Sequence, residues 1–346
     1  MNDKILVLGY FGYRTNQLDG QTVKTRDIFH LLLEQYPNRK IDFFDTQDFK
    51  YNKLSVLLMF KKLCQSKTLI YLPANNNLKY IFPFIFIFSK ICRFDIHYFV
   101  VGGWLNSFIK DLPIHKWMLH NIRGIHVETR RLKADLQTNY GYRNIDIFPN
   151  FRFFDFIPAL TESKKLRLVF MARIMKQKGL DWIFNLAEYI KKNNLSNEIE
   201  ITFFGQLNQE DKEYFMSNVE KFSFIDYKGH LQPEEIYPII SEYDVMLFPT
   251  HFYTEGLPGT IVDAYISGIP VIATEWINSH EFIDHGKSGY IIPFENGEKA
   301  LIDTVMLLNN DRQLLKKMKS YVLNIRNRFA PPKIESFLNE SMINMR

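Results

Sequence analysis

Short apolar runs alternate with helical patterns twice along the chain, and this alternation restricts the fold more than any other feature. In the first half, "KILVLGY" is continuously apolar, like a strand buried on both faces of a parallel sheet, and the helical pattern "TVKTRDIFHLLLEQY" follows it. Further strand-type runs in this half are "KIDFFDT", "TLIYLPA", "DIHYFVVGG", "GIHVET" and "NIDIFPN". The alternation predicts a doubly wound α/β domain.

The alternation stops near residues 149–165 and then begins again. "PNFRFFDFIPALTESKK" mixes prolines, aromatic residues and charges, which is typical of a linker. The second half has strand-type runs at "LRLVFMAR", "EIEITFFG", "FIDYKG", "DVMLFPT" and "PVIAT". A chain of 346 residues is long enough for two cores. We therefore predict two Rossmann-like domains, residues 1–155 and 156–330, with a C-terminal helix at about 331–346 packed back on the first.

Composition, cysteine content and the amino terminus exclude several classes of protein. Hydrophobic residues make up 46% of the chain and charged residues 23%, which is a globular composition. Cys64 and Cys92 are too few for a disulfide framework, and no Cys/His spacing resembles a zinc site, so we expect a reduced, cytoplasmic protein. "MNDKILVLGYFGY" lacks the regions of a signal peptide. The apolar run from Tyr80 is about a dozen residues long, against the ~20 of a membrane-spanning helix, and contains Pro83.

Basic residues are concentrated in one part of the first half. Residues 49–94 contain eight Lys or Arg and no Asp or Glu, although the net charge of the whole chain is only +5. One interpretation is the solvated basic face of an otherwise neutral enzyme. The other is a surface that contacts anionic lipid at the inner face of the cell membrane, where each well-placed cation contributes roughly 1 kcal/mol. No nucleic-acid-binding motif accompanies the charge, so nucleic acid is not an expected partner.

The stretch "FPTHFYTEGLPGTIVDAYISGIPVIAT" has the chemistry of a ligand site. Ligands of open parallel sheets bind outside the carboxyl ends of the strands, which is where the loop after "DVMLFPT" lies. Pro258 suits the first position of a helix, because it lacks an amide hydrogen that would have no helical partner there. The amides of Gly256, Leu257, Gly259 and Thr260, together with the helix dipole, form a predicted phosphate site.

Two acids flank this predicted phosphate site. Glu255 would repel a phosphate, so it is better suited to accept hydrogen bonds from the neutral hydroxyls of a sugar. Asp263 lies about one and a half turns into the helix, where it can hold a second diol such as that of a ribose. The alternative is a capped helix with ordinary surface acids.

The pattern around these acids resembles the signature of the family 4 glycosyltransferases of the GT-B fold. That signature is an acid, Gly, any residue, Pro, then a second acid followed by Ala, Gly, Pro and a strand. Here it is formed by Glu255, Gly256, Pro258, Asp263, Ala264, Gly268, Pro270 and "VIAT". The resemblance implies two Rossmann-like doubly wound domains facing a central cleft, with Glu255 on the donor sugar, Asp263 on the ribose and the amides after Glu255 on the diphosphate. The family usually has Glu in place of Asp263.

A basic pair precedes this stretch. In "VFMARIMKQKG", Arg173 ends a strand and Lys178 lies in the following loop. A guanidinium and an ammonium can stabilise a departing nucleoside diphosphate without a metal, although two cations in a loop can also be merely solvated. The pair resembles the basic pair of the same family. Because no Asp-x-Asp motif occurs, we expect no metal site, and no cofactor besides the nucleoside-diphosphate sugar as co-substrate.

Glycine positions give weaker signals for the donor side. The loop after the first strand carries Gly12 and Gly20 without the G-x-G-x-x-G of a dinucleotide site, and it resembles the glycine-bearing loop that faces the donor in these transferases. Gly20 precedes a helix that we expect to start near Thr22. Gly205 follows a strand whose end borders the nucleobase in the family, and ordinary turn chemistry is its alternative explanation.

The end of the fourth strand is the predicted acceptor side. Gly102, Gly103 and Trp104 stand where many relatives carry a histidine beside the reacting sugar, and the two glycines allow close backbone approach. His97 lies inside the strand, so we expect it to be packed or paired rather than to replace that histidine.

These residues favour a transferase that moves a sugar, a hexosyl group by resemblance, from a nucleoside diphosphate to a hydroxyl acceptor. The resemblance implies retention of the anomeric configuration, and the basic, aromatic first half suits a glycan or lipid-linked acceptor of polysaccharide assembly. The absent histidine leaves a non-catalytic GT-B partner or regulatory protein as the alternative. A nicotinamide-dependent oxidoreductase or epimerase would need G-x-G-x-x-G, and the only Tyr-x-x-x-Lys, from Tyr36 to Lys40, contains Pro37.

Overall fold

The computed structural model describes residues 4–15, 17, 19–159 and 163–334 of the chain. It divides the chain into two compact units, Met1–Phe153 with Pro331–Arg346, and Phe154–Ala330. The sequence analysis had placed the boundary two residues later. Of the helix expected at about 331–346, residues 335–346 lie outside the described part.

The described residues of the first unit form a six-stranded parallel sheet in the order β2-β1-β3-β4-β5-β6. Its strands are β1 (Ile5–Gly9), β2 (Ile41–Asp45), β3 (Thr68–Leu72), β4 (Asp95–Phe99), β5 (Gly124–Val127) and β6 (Ile145–Ile147). Its helices are α1 (Gly20–Gln35), α2 (Asp48–Tyr51), α3 (Ser55–Cys64), α4 (Asn75–Tyr80), α5 (Phe82–Cys92), α6 (Leu105–Phe108), α7 (Pro113–His120) and α8 (Arg130–Tyr140), with a 3-10 turn at Tyr13–Thr15.

Helices cover both faces of this sheet, because alternate strand residues point to opposite sides. Leu6 and Leu8 of β1 pack beneath α3, α5 and α7, whereas Ile5 and Val7 pack on the side of α1. Ile334 is buried on the α1 side. The segment that contains it is held there because the Gln35 amide donates to the carbonyl of Pro332 (2.8 Å) and accepts from the amide of Ile334 (2.7 Å).

The described residues of the second unit form another six-stranded parallel sheet, in the order β12-β11-β10-β7-β8-β9. Its strands are β7 (Leu166–Met171), β8 (Ile199–Phe204), β9 (Ile225–Tyr227), β10 (Val245–Phe248), β11 (Val271–Thr274) and β12 (Gly289–Ile292). Its helices are α9 (Leu180–Lys192), α10 (Lys212–Val219), α11 (Pro233–Ile240), α12 (Gly259–Ile266), α13 (Ser279–Phe282), α14 (Glu298–Asn310) and α15 (Arg312–Ile325). Three 3-10 turns lie at Lys176–Lys178, Gln209–Asp211 and Arg326–Phe329.

Strand β12 is absent from the sequence prediction. It is four residues long and begins with a glycine, which is a weak strand signal. Gly289 pairs with Val271 of β11, and a Cβ at this position would overlap the carbonyl oxygen of Val271. The same glycine that weakens the strand pattern therefore permits the pairing.

The pairing of Cys64 with Cys92 contradicts the expectation of two reduced thiols. The two residues end helices α3 and α5, and a disulfide joins them with their Cα atoms 5.1 Å apart. Because α3 and α5 pack side by side, their last residues meet across a sequence separation of 28. Cysteine number and spacing do not reveal such a tertiary contact.

Within the described ranges, no helix has both the length and the apolar character needed to cross a bilayer.

Candidate active site

Two loops meet at the carboxyl ends of strands β7 and β10. The amide of His251 donates to the carbonyl of Gln177 (2.9 Å), which joins the loops directly. Between them, Gly179 has a left-handed backbone, with φ +82°, and a Cβ there would overlap the carbonyl oxygen of Pro249. Only glycine therefore fits this approach of the two loops.

This approach brings together the side chains of Lys178 and Glu255. The Lys178 ammonium forms an ion pair with Oε1 of Glu255, and the two side chains are only 14% and 20% exposed. The ammonium also lies 5.5 Å from the ring centre of Phe248 and 4.7 Å from that of Phe252, in cation–π contact. The base of the site thus combines one cation, one acid and two aromatic rings.

Side chains after β11 hold the backbone of the Glu255 loop. The side-chain amide of Asn278 donates to the carbonyl of Glu255 (2.7 Å), and the indole of Trp276 donates to that of Gly256 (3.2 Å). Both residues are absent from the sequence prediction, although they closely follow the "VIAT" strand of the signature. Their contacts leave the Glu255 carboxylate facing Lys178.

The start of helix α12 forms the next part of the site. Pro258 is the residue before the helix, with φ −62° and ψ 130°, so the expectation that it occupies the first helical position was wrong by one residue. Its extended ψ ends the loop, and Gly259 and Thr260 open the helix. The Thr260 hydroxyl donates to the carbonyl of Met171 (2.9 Å), which ties this helix end to β7. First-turn amides have no intrahelical acceptors and favour an anion.

Asp263 lies in the fifth position of α12 and is only 6% exposed. Residues four apart share a helix face, so Asp263 lies one turn behind Gly259. Gly256 and Leu257, also predicted to bind the donor, are buried beside this helix end. The order along the site is therefore the Glu255 carboxylate, the loop amides, the helix end and then the Asp263 carboxylate.

Arg173 and Gly205 follow the neighbouring strands β7 and β8. The Arg173 side chain is exposed. Gly205 has φ +142°, and a Cβ there would overlap the carbonyl oxygen of Ala172. The close approach of the two strand ends explains this glycine without a ligand contact.

A second acid, Asp181, lies near the Lys178 loop in the first turn of α9. Its carboxylate pairs with Nε2 of His251 (3.1 Å), and the His251 ring packs edge-on against Trp182 at 4.9 Å. Burial alone would raise the pKa of Asp181, but hydrogen bonding and charge from His251 hold that pKa below its ordinary value. The sequence analysis missed this pair, whose members are 70 residues apart.

In the first unit, Gly12 and Gly20 differ in their structural need for glycine. Gly12 has a left-handed φ of +65°, and a Cβ there would lie 3.0 Å from a methyl carbon of Thr22. Gly20 is exposed and opens α1, two residues earlier than predicted, because Asp19 caps the helix with Thr22 as its capping-box partner. A Cβ at Gly20 would meet nothing within 4 Å.

A buried ion pair supports the loop of Gly102, Gly103 and Trp104. Lys24 of α1 pairs with Oε1 of Glu128 after β5 at 2.5 Å. The other oxygen of Glu128 accepts from the amide of Gly102 (3.1 Å), while the Trp104 indole donates to the carbonyl of Val101 (2.7 Å). Burial lowers the pKa of Lys24, and the charge of Glu128 opposes that shift. The sequence analysis missed Lys24 and Glu128, which come from distant elements.

His97 is packed and paired, as the sequence predicted. Its Nδ1 lies 3.0 Å from Nε2 of His126, and both rings are buried in the sheet. Burial lowers the pKa of His97 to about 3, so the ring is neutral near pH 7. It is therefore unsuited to replace the missing histidine.

A metal site needs several acidic, histidine or cysteine side chains grouped together. In the part of the chain that the structure describes, no group of three or more His, Cys, Asp or Glu side chains could hold a metal ion. Metal independence stays a prediction.

A family model matches most of the second unit. The model of the family Glycosyl transferases group 1 matches residues 165–311, which all lie in this unit. This segment is similar to that family. The resemblance inferred from the Glu255 signature is confirmed for it.

Curated relatives of the chain align over part of their length. WcaL of Salmonella typhimurium, named as a colanic acid biosynthesis glycosyltransferase, is 27% identical over 144 residues, which are 39% of this chain and 34% of that protein. The poly(ribitol-phosphate) alpha-N-acetylglucosaminyltransferase of Staphylococcus aureus is 24% identical over 203 residues, 57% of this chain and 39% of that protein. The chain thus spans less than half the length of these relatives.

A solved structure resembles the whole chain. HepE of Anabaena, crystallised with UDP and glucose, has a TM-score of 0.73 and 15% sequence identity, covering 99% of this chain and 100% of that one. With its two six-stranded parallel sheets, the chain has the GT-B fold, as the sequence predicted.

Proposed function

We propose that the protein is a glycosyltransferase that moves a sugar, with retention and without a metal, from a nucleoside-diphosphate sugar to a hydroxyl acceptor. The observation that carries this proposal is the contact of Lys178 with Glu255 beside the start of α12. The match of the segment to Glycosyl transferases group 1 supports it, as does the similarity to HepE, which was crystallised with UDP-glucose.

The donor site needs a cation that can change partners. In the structure, Glu255 holds Lys178. The diphosphate of a donor at the α12 amides would compete for this ammonium, and Arg173 can supply a second cation. Glu255 would then accept a hydrogen bond from a sugar hydroxyl.

In the transfer step, the bond between the anomeric carbon and the diphosphate oxygen breaks. The acceptor oxygen forms its new bond on the same face of the sugar, and the acceptor proton passes to an oxygen of the leaving diphosphate. Lys178, Arg173 and the α12 amides stabilise the charge that develops on that leaving group. Asp263 holds the ribose.

For the acceptor, we propose a lipid-linked or growing surface polysaccharide at the cytoplasmic face of the membrane. Two relatives support this class through their names, which refer to colanic acid biosynthesis and to poly(ribitol-phosphate). Gly102, Gly103 and Trp104 form the proposed acceptor side.

The donor can be tested by thermal unfolding with a panel of nucleotide sugars. A donor at 100 times its dissociation constant adds ~2.7 kcal/mol to the free energy of unfolding. We expect one or a few nucleotide sugars to raise the midpoint temperature of thermal unfolding of the native protein. The same nucleotide sugars should raise the midpoint of Lys178→Ala much less. Lys192→Ala, an exposed change at the end of α9, is the matched control and should respond like the native protein. No stabilisation by any nucleotide sugar would contradict the proposal.

A non-catalytic nucleotide-sugar-binding protein is the second candidate. The observation that favours it is the Gly102 loop, which lacks the usual histidine, together with the buried pairing of His97. Such a protein would be stabilised by the same donors but would neither transfer nor hydrolyse them.

A further inference from the structure

Helix α5 of the first unit is apolar on its outer side as well as its inner side. Ile85 and Phe86 are buried against the sheet, as expected for a helix that covers a core. Yet Phe84, Ile87 and Ile91 are 59%, 54% and 69% exposed. An ordinary surface helix carries polar residues at such positions.

The two helices beside α5 continue this surface. The rings of Phe60 in α3 and Phe88 in α5 lie 4.3 Å apart, and those of Phe86 and Trp117 in α7 lie 5.3 Å apart, so the three helices are neighbours. We define the apolar face as the exposed side chains on and next to these helices: Leu54, Leu57, Leu58, Phe84, Ile87, Ile91, Ile114 and Trp117.

A groove of about 400 Å³ runs between α5 and α7 within the apolar face. Pro83, Ile87, Ile91 and Trp117 are among its lining residues, and the charged member of the lining is Lys90. The Lys90 ammonium lies 4.8 Å above the Phe86 ring and donates to a backbone carbonyl at 3.0 Å. The groove is therefore apolar along its floor and basic at its edge.

Exposed cations are frequent on and next to the helices of the apolar face. Residues 49–94, which include α3 and α5, contain eight Lys or Arg and no acid. Lys62 is paired with Asp42, but other cations of the segment are exposed. Those exposed are Lys50, Lys53, Lys61, Lys67, Lys79, Lys90 and Arg93. We call these seven cations, which lie on or close in sequence to the helices of the apolar face, its positive rim.

We infer that the apolar face seats the first unit on an anionic lipid bilayer. The apolar side chains would enter the boundary between headgroups and acyl chains, Trp117 would lie at headgroup level, and the rim cations would contact lipid phosphates. A second copy of the chain fits less well, because its own positive rim would face the first rim. This inference rests on the first unit alone and is independent of the proposed transferase activity.

Binding of the full chain to vesicles tests the inference. We expect cosedimentation with phosphatidylcholine vesicles that contain phosphatidylglycerol, weaker binding without phosphatidylglycerol, and loss of binding at high salt. The double variant Ile87→Ser/Ile91→Ser should bind about tenfold or more weakly, because each change removes several buried carbons. The double variant Tyr189→Ser/Leu307→Ser removes exposed apolar side chains of the second unit and should bind like the native protein.

Fluorescence locates the contact. Trp117 is exposed, whereas Trp182 and Trp276 are buried and Trp104 is partly buried. Vesicles should shift the native emission to the blue, and Trp117→Phe should lose most of that shift while still cosedimenting.

Each alternative outcome would overturn the inference. Equal binding of Ile87→Ser/Ile91→Ser and the native protein, equal binding to both kinds of vesicle, or no binding would exclude this lipid surface. A native dimer that becomes monomeric in Ile87→Ser/Ile91→Ser would assign the face to a second copy. Unchanged thermal unfolding of the variants shows that they fold, and stabilisation by nucleotide sugars tests the donor site separately.

Discussion

Lys178 and Glu255 carry opposite charges in a site that is largely shielded from water. Their contact is weak evidence for stability, because desolvation of both groups offsets much of their attraction. We propose that its role is functional, since the ion pair would hold Lys178 in place for the diphosphate of a donor. The Glu255 signature and the separate basic pair identified these two residues. They did not identify Gly179, Asn278 or Trp276, because these act through tertiary contacts between separate loops.

Loss of a single cation from the proposed donor site should slow transfer of the sugar. Arg173→Ala or Lys178→Ala should lower turnover by about a hundredfold or more, since each removes ~2.7 kcal/mol or more if it acts like a lost oxyanion donor. Turnover at saturating donor is the measurement, and thermal unfolding checks that folding is unchanged. Native turnover in both variants would remove these residues from the mechanism.

Substitutions of Glu255 and Asp263 should affect ligand binding differently. Glu255→Gln should lower turnover without lowering affinity for the free nucleoside diphosphate, because Gln does not hold Lys178 as an ion pair. Asp263→Asn should weaken both the free diphosphate and the intact donor by ~1.5 to 3 kcal/mol, if one charged hydrogen bond to the ribose is lost. Calorimetry with both ligands provides the comparison. Weaker binding of the free diphosphate by Glu255→Gln would contradict the assignment of Glu255 to the sugar. Unchanged binding of both ligands by Asp263→Asn would contradict the assignment of Asp263 to the ribose.

Among the secondary-structure elements, alternating patterns predicted most strands and the doubly wound order. They missed β12, whose pairing depends on Gly289, and the disulfide that joins the ends of α3 and α5. Both depend on which elements become neighbours in space. A pattern along the sequence identifies each element by its periodicity, but it does not indicate which elements become neighbours in the fold.

The junction of the β7 and β10 loops should depend on Gly179. In Gly179→Ala, the new Cβ would overlap Pro249, so the loops must separate and donor affinity should fall at least tenfold. Gly286→Ala is the control, because φ is +75° there but the space is open. It should cost about 1–2 kcal/mol of stability and leave donor affinity unchanged. Calorimetry measures the donor affinity of both variants. If Gly179→Ala binds the donor as tightly as the native protein, the junction does not shape the site.

The sheet of the first unit should lose stability in acid through its buried histidines. Burial lowers the pKa of His97 to about 3, and burial with nearby positive charge lowers that of His126. Unfolded histidines have a pKa near 6.5, so the unfolded state binds more protons below that pH. The free energy of unfolding should therefore fall as pH drops from about 6.5 toward 3, by up to ~1.4 kcal/mol per pH unit for each histidine.

Urea unfolding between pH 7.5 and 5 in about half-unit steps measures this slope. His97→Gln should flatten this slope, because it removes one of the two buried histidines. If the free energy of unfolding depends on pH equally in His97→Gln and in the native protein, His97 is protonated to the same extent in the folded and unfolded states.

For the whole molecule, the second unit is defined by sequence much better than the first. Its signature, strands and family match agree on a glycosyltransferase segment. The first unit has no comparable signature: Lys24 and Glu128 meet only in the folded sheet, and the apolar face requires three helices side by side. The proposed acceptor and membrane contacts therefore depend on tertiary structure, whereas most of the proposed donor site follows from a contiguous motif.

The central claim is that this chain transfers sugar from a nucleoside diphosphate. The most direct measurement is release of nucleoside diphosphate, in EDTA, from the nucleotide sugar that stabilises the native protein most, with and without polysaccharide acceptors. We predict release that increases with a suitable acceptor and persists with the chelator, because cationic side chains can provide the charge stabilisation that a metal ion provides elsewhere. Donor binding without release, or release that stops in EDTA and returns with Mg²⁺ or Mn²⁺, would contradict the account.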